Sequence, residues 1–167
     1  MHEAIRSILD RYKCVSRDDY VNALREILQD LALLGLWRSK FFEHAAFYGG
    51  TALRLLHGLD RYSEDLDFSL LEPDASFSLG AYGDALQREI GSFGFQVEFK
   101  GRQKKSASAI DSAFLKVRNV DAGRVRVNDG QRPMLSLEFL RGGDFQSARR
   151  SLLGPTARHG GAETAPE

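Results

Sequence analysis

Ile5, Ile8 and Leu9 fall on one stripe at helical spacing, which predicts a short amphipathic helix over residues 2–12. A longer stripe of Tyr20, Leu24, Ile27, Leu28, Leu31 and Leu34 predicts a second helix that runs to about residue 38. Ser16 is its candidate N-cap, and Asp18 and Asp19 sit in the first turn, where the helix dipole favours negative charge. This stripe is read as core packing. The pattern then changes. Ala45-Ala46-Phe47-Tyr48 predicts a short buried strand, stopped by Gly49-Gly50, after which a helical pattern resumes from Thr51 to His57. Gly58 to Tyr62 is a loop, and Asp65 to Leu70 alternates with the period of a strand until Pro73 and the Asp, Ser and Gly residues beyond it. Tyr82, Leu86, Ile90 and Phe93 are in phase for a helix over 80–93. Three further strands are predicted at Phe95–Lys100, Ala113–Arg118 and Met134–Leu140. Helices, a strand–helix–strand unit, then a helix and a strand-rich end imply one α/β (α+β) domain, residues 1–150, with a mixed sheet flanked by helices. No Ile, Leu, Val, Phe, Met, Trp or Tyr occurs from Gly154 to Glu167, and 151–167 is expected to be a disordered tail.

Composition changes this picture little. The chain has 167 residues, 43% hydrophobic and 28% charged, as in an ordinary soluble globular domain. Its 23 Lys+Arg balance 23 Asp+Glu, which excludes a uniformly basic nucleic-acid coat. The balance is uneven along the chain: residues 1–100 hold 11 basic and 16 acidic side chains, residues 101–167 hold 12 and 7. An acidic site facing a basic surface is the expectation. Cys14 is the only cysteine, which excludes a disulfide framework and a CxxC site, and His2, His44, His57 and His159 lack metal-ligand spacing. His44, His57 and Cys14 are read as structural, and a reducing, cytoplasmic compartment is expected. The first residues lack the features of a signal peptide, and the longest apolar run, Leu31 to Trp37, is far short of the ~20 residues of a membrane span.

The candidate chemistry lies in three places. Gly49-Gly50-Thr51 ends a strand and opens a helix, so a phosphate can approach the backbone and meet the unpaired N–H groups of a helix start. Asp65 and Asp67, two apart on a strand, share a face, while Leu66 and Phe68 point the other way. Carboxylates on an apolar strand are costly unless paired or bound to a metal, and Mg²⁺ accepts such hard oxygen ligands. Glu138 sits mid-strand in Met134–Leu140, on the face opposite Leu135, Leu137 and Phe139. Beside Asp65 and Asp67 in a neighbouring strand it would complete a three-carboxylate metal site.

Tyr48-Gly49-Gly50-Thr51-Ala52-Leu53-Arg54-Leu55-Leu56, followed by Arg61-Tyr62-Ser63-Glu64-Asp65-Leu66-Asp67-Phe68, resembles the AbiEii/AbiGii toxin family, to which the MenT toxins are related. The resemblance is clear over about 41–70 and looser to about 140. It implies a minimal polymerase-β-like nucleotidyltransferase fold. It also implies a toxin of a toxin–antitoxin system that transfers NMP from an NTP to an RNA acceptor, tRNA in some members, with Mg²⁺ (or Mn²⁺). Carried over, Gly49, Gly50 and Thr51 would hold the triphosphate, and Asp65, Asp67 and Glu138 would be catalytic and bind the metal. Ser136 stands where the family's Lys-x-Glu pattern has lysine. Family members usually continue into a helical C-terminal half, so this chain is expected to be a shortened member.

The remaining candidates follow from charge. Lys116 and Arg118 share a strand face, and Lys116 would reach a triphosphate or RNA backbone. Arg102, Lys104, Lys105, Lys116, Arg118, Arg124 and Arg126 form a basic stretch able to steer RNA or NTP. Arg61 would neutralise Asp65 or contact a phosphate, Ser63 would cap or hydrogen-bond the loop before the strand, and Arg54 is placed on the surface; Arg61, Ser63 and Lys116 join Gly49, Gly50 and Thr51 as the expected nucleotide-binding residues. No Gly-x-Ser-x-Gly, His-Glu-x-x-His or P-loop lysine is present. The alternative from another class is an inactive remnant that binds nucleotide, RNA or an antitoxin partner; a third option transfers the nucleotide to protein or a small molecule.

Overall fold

The computed structural model describes residues 2–74, 76–101, 110–119 and 134–140. Helix α1 spans Glu3–Arg11 and α2 spans Arg17–Arg38. A capping box starts α2: the Asp19 N–H donates to Ser16 Oγ at 3.1 Å, and the Ser16 N–H donates to Asp19 Oδ2 at 2.8 Å. These bonds hold the Asp19 carboxyl below its ordinary range. Ile5 and Leu9 of α1, with Leu24, Ile27, Leu28, Leu31 and Leu36 of α2, are buried in one core, as the helical stripes imply.

Five strands follow: β1 (Ala45–Tyr48), β2 (Asp65–Leu70), β3 (Gln96–Gly101), β4 (Ile110–Asn119) and β5 (Met134–Leu140). Helix α3 (Gly49–His57) joins β1 to β2, and α4 (Gly83–Ser92) precedes β3. The sheet order is β1-β2-β5-β4-β3. β2 and β5 are parallel, and every other neighbouring pair is antiparallel. The last strand among the described residues is thus inserted between β2 and β4. The result is an α/β fold with a mixed sheet, consistent with a nucleotidyltransferase-like domain.

Register makes the sheet two-faced. Leu66 pairs with Leu137, Leu137 with Ala113, and Leu135 with Leu115; all are buried on the face against which α2 and α4 pack. The alternate residues Asp65, Asp67, Ser136, Glu138, Phe114 and Lys116 take the other face.

Two elements depart from expectation. The helix expected at 80–93 is a 3₁₀ turn, Leu79–Tyr82, followed by α4. Gly83 lies so close to β3 that a Cβ would stand 2.7 Å from Phe99 Cδ1, so this glycine sets how near α4 can come. A 3₁₀ turn, Phe41–Glu43, lies where no element was expected, and its fully buried Phe41 stacks edge-on against Phe42, Phe68 and Tyr82. The expected tail 151–167, the end of the expected domain at 141–150 and the basic residues Arg102, Lys104, Lys105, Arg124 and Arg126 lie outside the described residues. Among the described residues no helix is long and apolar enough to cross a membrane.

Candidate functional site

Asp65 and Asp67 share the open face of β2, and parallel pairing sets Asp67 opposite Glu138 and Asp65 opposite Ser136 on β5. On its other side Asp67 faces Tyr48 of β1, and Glu138 faces Ser112 of β4. One row, Tyr48–Asp67–Glu138–Ser112, therefore crosses four strands at the ordinary spacing of ~4.8 Å. Asp65 and Glu138 are exposed and Asp67 is half-buried. Burial, then the charges of Asp65 and Glu138, push the Asp67 carboxyl up to about 6. Burial also pushes the Tyr48 phenol up, helped by Asp67 and Glu138. No ion pair among the described residues compensates Asp67. Among the described residues the site is a patch of carboxylates without a cationic partner, with the oxygen donors a hard cation prefers. Yet among the described residues no three His, Cys, Asp or Glu side chains close into a group able to hold a metal ion. The three acids are neighbours on the sheet rather than a converged ligand set.

The glycine turn abuts these acids. Gly49 has φ +84, and a Cβ there would lie 2.2 Å from Asp67 Oδ2. Gly50 lies against Ser63, whose Oγ would be 3.5 Å from an added Cβ. Tyr48, the N-cap of α3, makes no side-chain cap bond, so the positive end of α3 meets the site without a side-chain cap. Thr51 lies just behind this turn. Its side chain is fully buried and its hydroxyl donates to the backbone carbonyl of Asp65, so it pins α3 to β2 and leaves only backbone for a phosphate. Arg61 is exposed on the loop before β2. Lys116 is exposed on the same open face, two strands across and one row beyond Asp65, ~12 Å away by sheet spacing.

The family described as "Nucleotidyl transferase AbiEii toxin, Type IV TA system" matches residues 31–160, which include every element of this site. The chain belongs to the AbiEii family. The match runs well past the span over which the motifs alone carry the resemblance. No curated protein and no solved structure matches the chain. Membership places the chain among the nucleotidyltransferase toxins of toxin–antitoxin systems, with a nucleotide substrate and an antitoxin partner at the level of the family.

In this AbiEii-family chain, α2 braces the segment that delivers Asp65. Gln29, 2% exposed within the apolar stripe, donates from Nε2 to the Ser63 carbonyl at 2.8 Å. Arg25 pairs with Glu64 at 2.7 Å. Arg54 of α3, expected on the surface, instead bonds Glu26 through Nε and Nη2, both at 3.1 Å, and donates to the Leu59 carbonyl. It also stacks 4.0 Å from the Tyr62 ring centre. Asp30 lies close by at an exposed position, and desolvation at its base and the charge of Glu26 push its carboxyl up to about 6. Only the polar intrusion of Gln29 into the stripe signals this brace in the sequence. Arg54→Met should cost about 2 kcal/mol, because it strands a half-buried Glu26 beside Asp30. Glu26→Gln in the same chain should restore half or more of that loss in urea unfolding. Equal instability of the single and double variants would refute the pairing.

Proposed function

We propose that the chain transfers a nucleotidyl group from an NTP to the 3′ end of an RNA, tRNA being the acceptor expected, in the cytoplasm. The observation that carries this reading is the pairing of Asp67 with Glu138, beside a glycine turn that opens a helix. The turn and the positive end of α3 hold the β- and γ-phosphates through backbone N–H groups. Mg²⁺ (or Mn²⁺), held by Asp65, Asp67 and Glu138, would supply charge neutralisation at the α-phosphate and the departing pyrophosphate. Glu138 accepts the proton of the acceptor hydroxyl. The hydroxyl oxygen then bonds to the α-phosphorus as the bond to pyrophosphate breaks. Arg61, Ser63 and Lys116 border this path and contribute contacts to nucleotide or RNA.

Incubation with total tRNA and each α-labelled NTP tests the proposal. Wild type should label RNA with at least one NTP and Asp65→Asn should not; equal labelling by both would refute it. The second reading, an inactive protein that binds nucleotide or its antitoxin, is favoured by the absence of a closed metal-holding group among the described residues. Calorimetry separates the two, since NTP binding with Mg²⁺ but no labelling of any RNA would select it.

A further inference from the structure

The sheet face that carries Asp67 and Glu138 continues onto β4, where Ser112, opposite Glu138, is buried. There Phe114 lies in one row with Asp65, Ser136 and Lys100. Of the phenylalanines whose side chains are described, Phe41, Phe42, Phe47, Phe68, Phe77, Phe93, Phe95 and Phe99 belong to the core or pack against it; Phe114 does not. It stands partly exposed on the face opposite that core, with Ser136 and Lys100 directly opposite it and Lys116 next on its own strand face. Lys100 and Lys116 are exposed. Lys100 is paired with Glu98 at 3.3 Å, and Glu98 stands opposite Lys116, so the lysine nearest the ring on its own strand is Lys116; a partly exposed aromatic ring beside a lysine on a sheet face is the chemistry of base stacking with a phosphate contact.

The direction of the reaction says which strand end would lie there. In-line displacement puts the attacking oxygen and the leaving pyrophosphate on opposite sides of the α-phosphorus. The glycine turn, which would hold the pyrophosphate, lies on the β1 side of Asp67; Glu138 and then β4 lie on the other. A hydroxyl at Glu138 would have its own base about one strand spacing, ~4.8 Å, further on, over β4. We propose that Phe114 stacks the 3′-terminal base of a single-stranded RNA acceptor and that Lys116 contacts its phosphate. The inference rests on the nucleotidyl-transfer reading for its direction, and names the acceptor surface of that same site.

The test is fluorescence anisotropy with a 5′-labelled single-stranded RNA octamer ending in a free 3′ hydroxyl. Calorimetry with NTP and Mg²⁺ runs on the same samples. Phe114→Ala and Phe114→Leu should each weaken RNA binding about tenfold, the value of one stacked base, and Phe114→Tyr should keep it. Affinity for NTP should not change in any of the three, which separates a lost stacking surface from a damaged fold. Lys116→Ala should lower the dependence of RNA affinity on salt by about one unit of slope. RNA binding by Phe114→Leu equal to wild type, or no RNA binding by wild type, overturns the inference. Loss of NTP binding in wild type overturns the transfer reading instead, whatever the RNA result, so the two failures are distinguishable.

Discussion

Asp67→Asn should abolish nucleotidyl transfer and, without divalent metal, make the protein more heat-stable than wild type. The carboxyl sits between Asp65 and Glu138, half-buried, and is pushed up to about 6 from an ordinary 3.8. A carboxyl raised in the folded state is ionised at a cost to the fold above that value. The cost is full above about pH 6, shrinks as pH falls through 6, and is gone below about 4, where folded and unfolded chains are both protonated. Solvent screens a half-exposed group, so the cost is about 1 kcal/mol rather than the larger figure the full shift implies. Asparagine keeps the shape and removes the charge. Melting at pH 7.5 in EDTA should rise by about 3 °C. At pH 4.5 the two proteins should melt together. Mg²⁺ should raise the wild-type melting temperature at pH 7.5 and lose that effect below about pH 6, where protons compete for Asp67. A variant less stable than wild type at pH 7.5 in EDTA would show that Asp67 is a structural acid, not one held ready for a cation.

Gly49→Ala should cost about 2–4 kcal/mol and eliminate transfer, while Gly50→Ala, one residue on, should leave stability nearly unchanged. At Gly49 the backbone is left-handed, which costs an alanine about 1–2 kcal/mol before any contact is counted. The added methyl would also occupy the space of Asp67 Oδ2, 2.2 Å away, so the carboxylate must move. At Gly50 the same methyl meets Ser63 at ordinary contact distance. The contrast isolates geometry from chemistry, because the substitution is identical. Urea unfolding of the pair measures it, and indistinguishable midpoints would refute the close approach of the turn to Asp67.

The parts of the fold governed by local periodicity were legible in the residues. The apolar stripe of α2, its Ser16 cap, the strand–turn–helix at Gly49-Gly50 and the alternation of Asp65 to Leu70 each depend on neighbours a few positions apart, and each is found as expected. Those same signals singled out Asp65, Asp67 and Glu138 as acids on strands that also carry core residues. Less legible were short elements with no repeat to detect, such as the 3₁₀ turns at Phe41–Glu43 and Leu79–Tyr82. The bond from the Thr51 hydroxyl to the Asp65 carbonyl was not legible either, because it joins α3 to β2 across 14 residues. Arg54 misled because arginine is usually a surface residue; only its meeting with Glu26 and Tyr62 makes it an inner clamp.

By itself, then, the sequence determined which residues face the core and which face away, because side-chain direction along a helix or strand is a local property of the backbone. It also carried the family, through a motif whose glycines and acids lie within one strand–helix–strand unit. Tertiary structure alone decided that β5, the last strand among the described residues, enters between β2 and β4. That choice sets Glu138 beside Asp67 rather than one row away, raises the Asp67 carboxyl, and lays Phe114 and Lys116 on the same face beyond it. Pairing between strands some 70 residues apart is set by the packing of the whole core. No spacing within either strand records it.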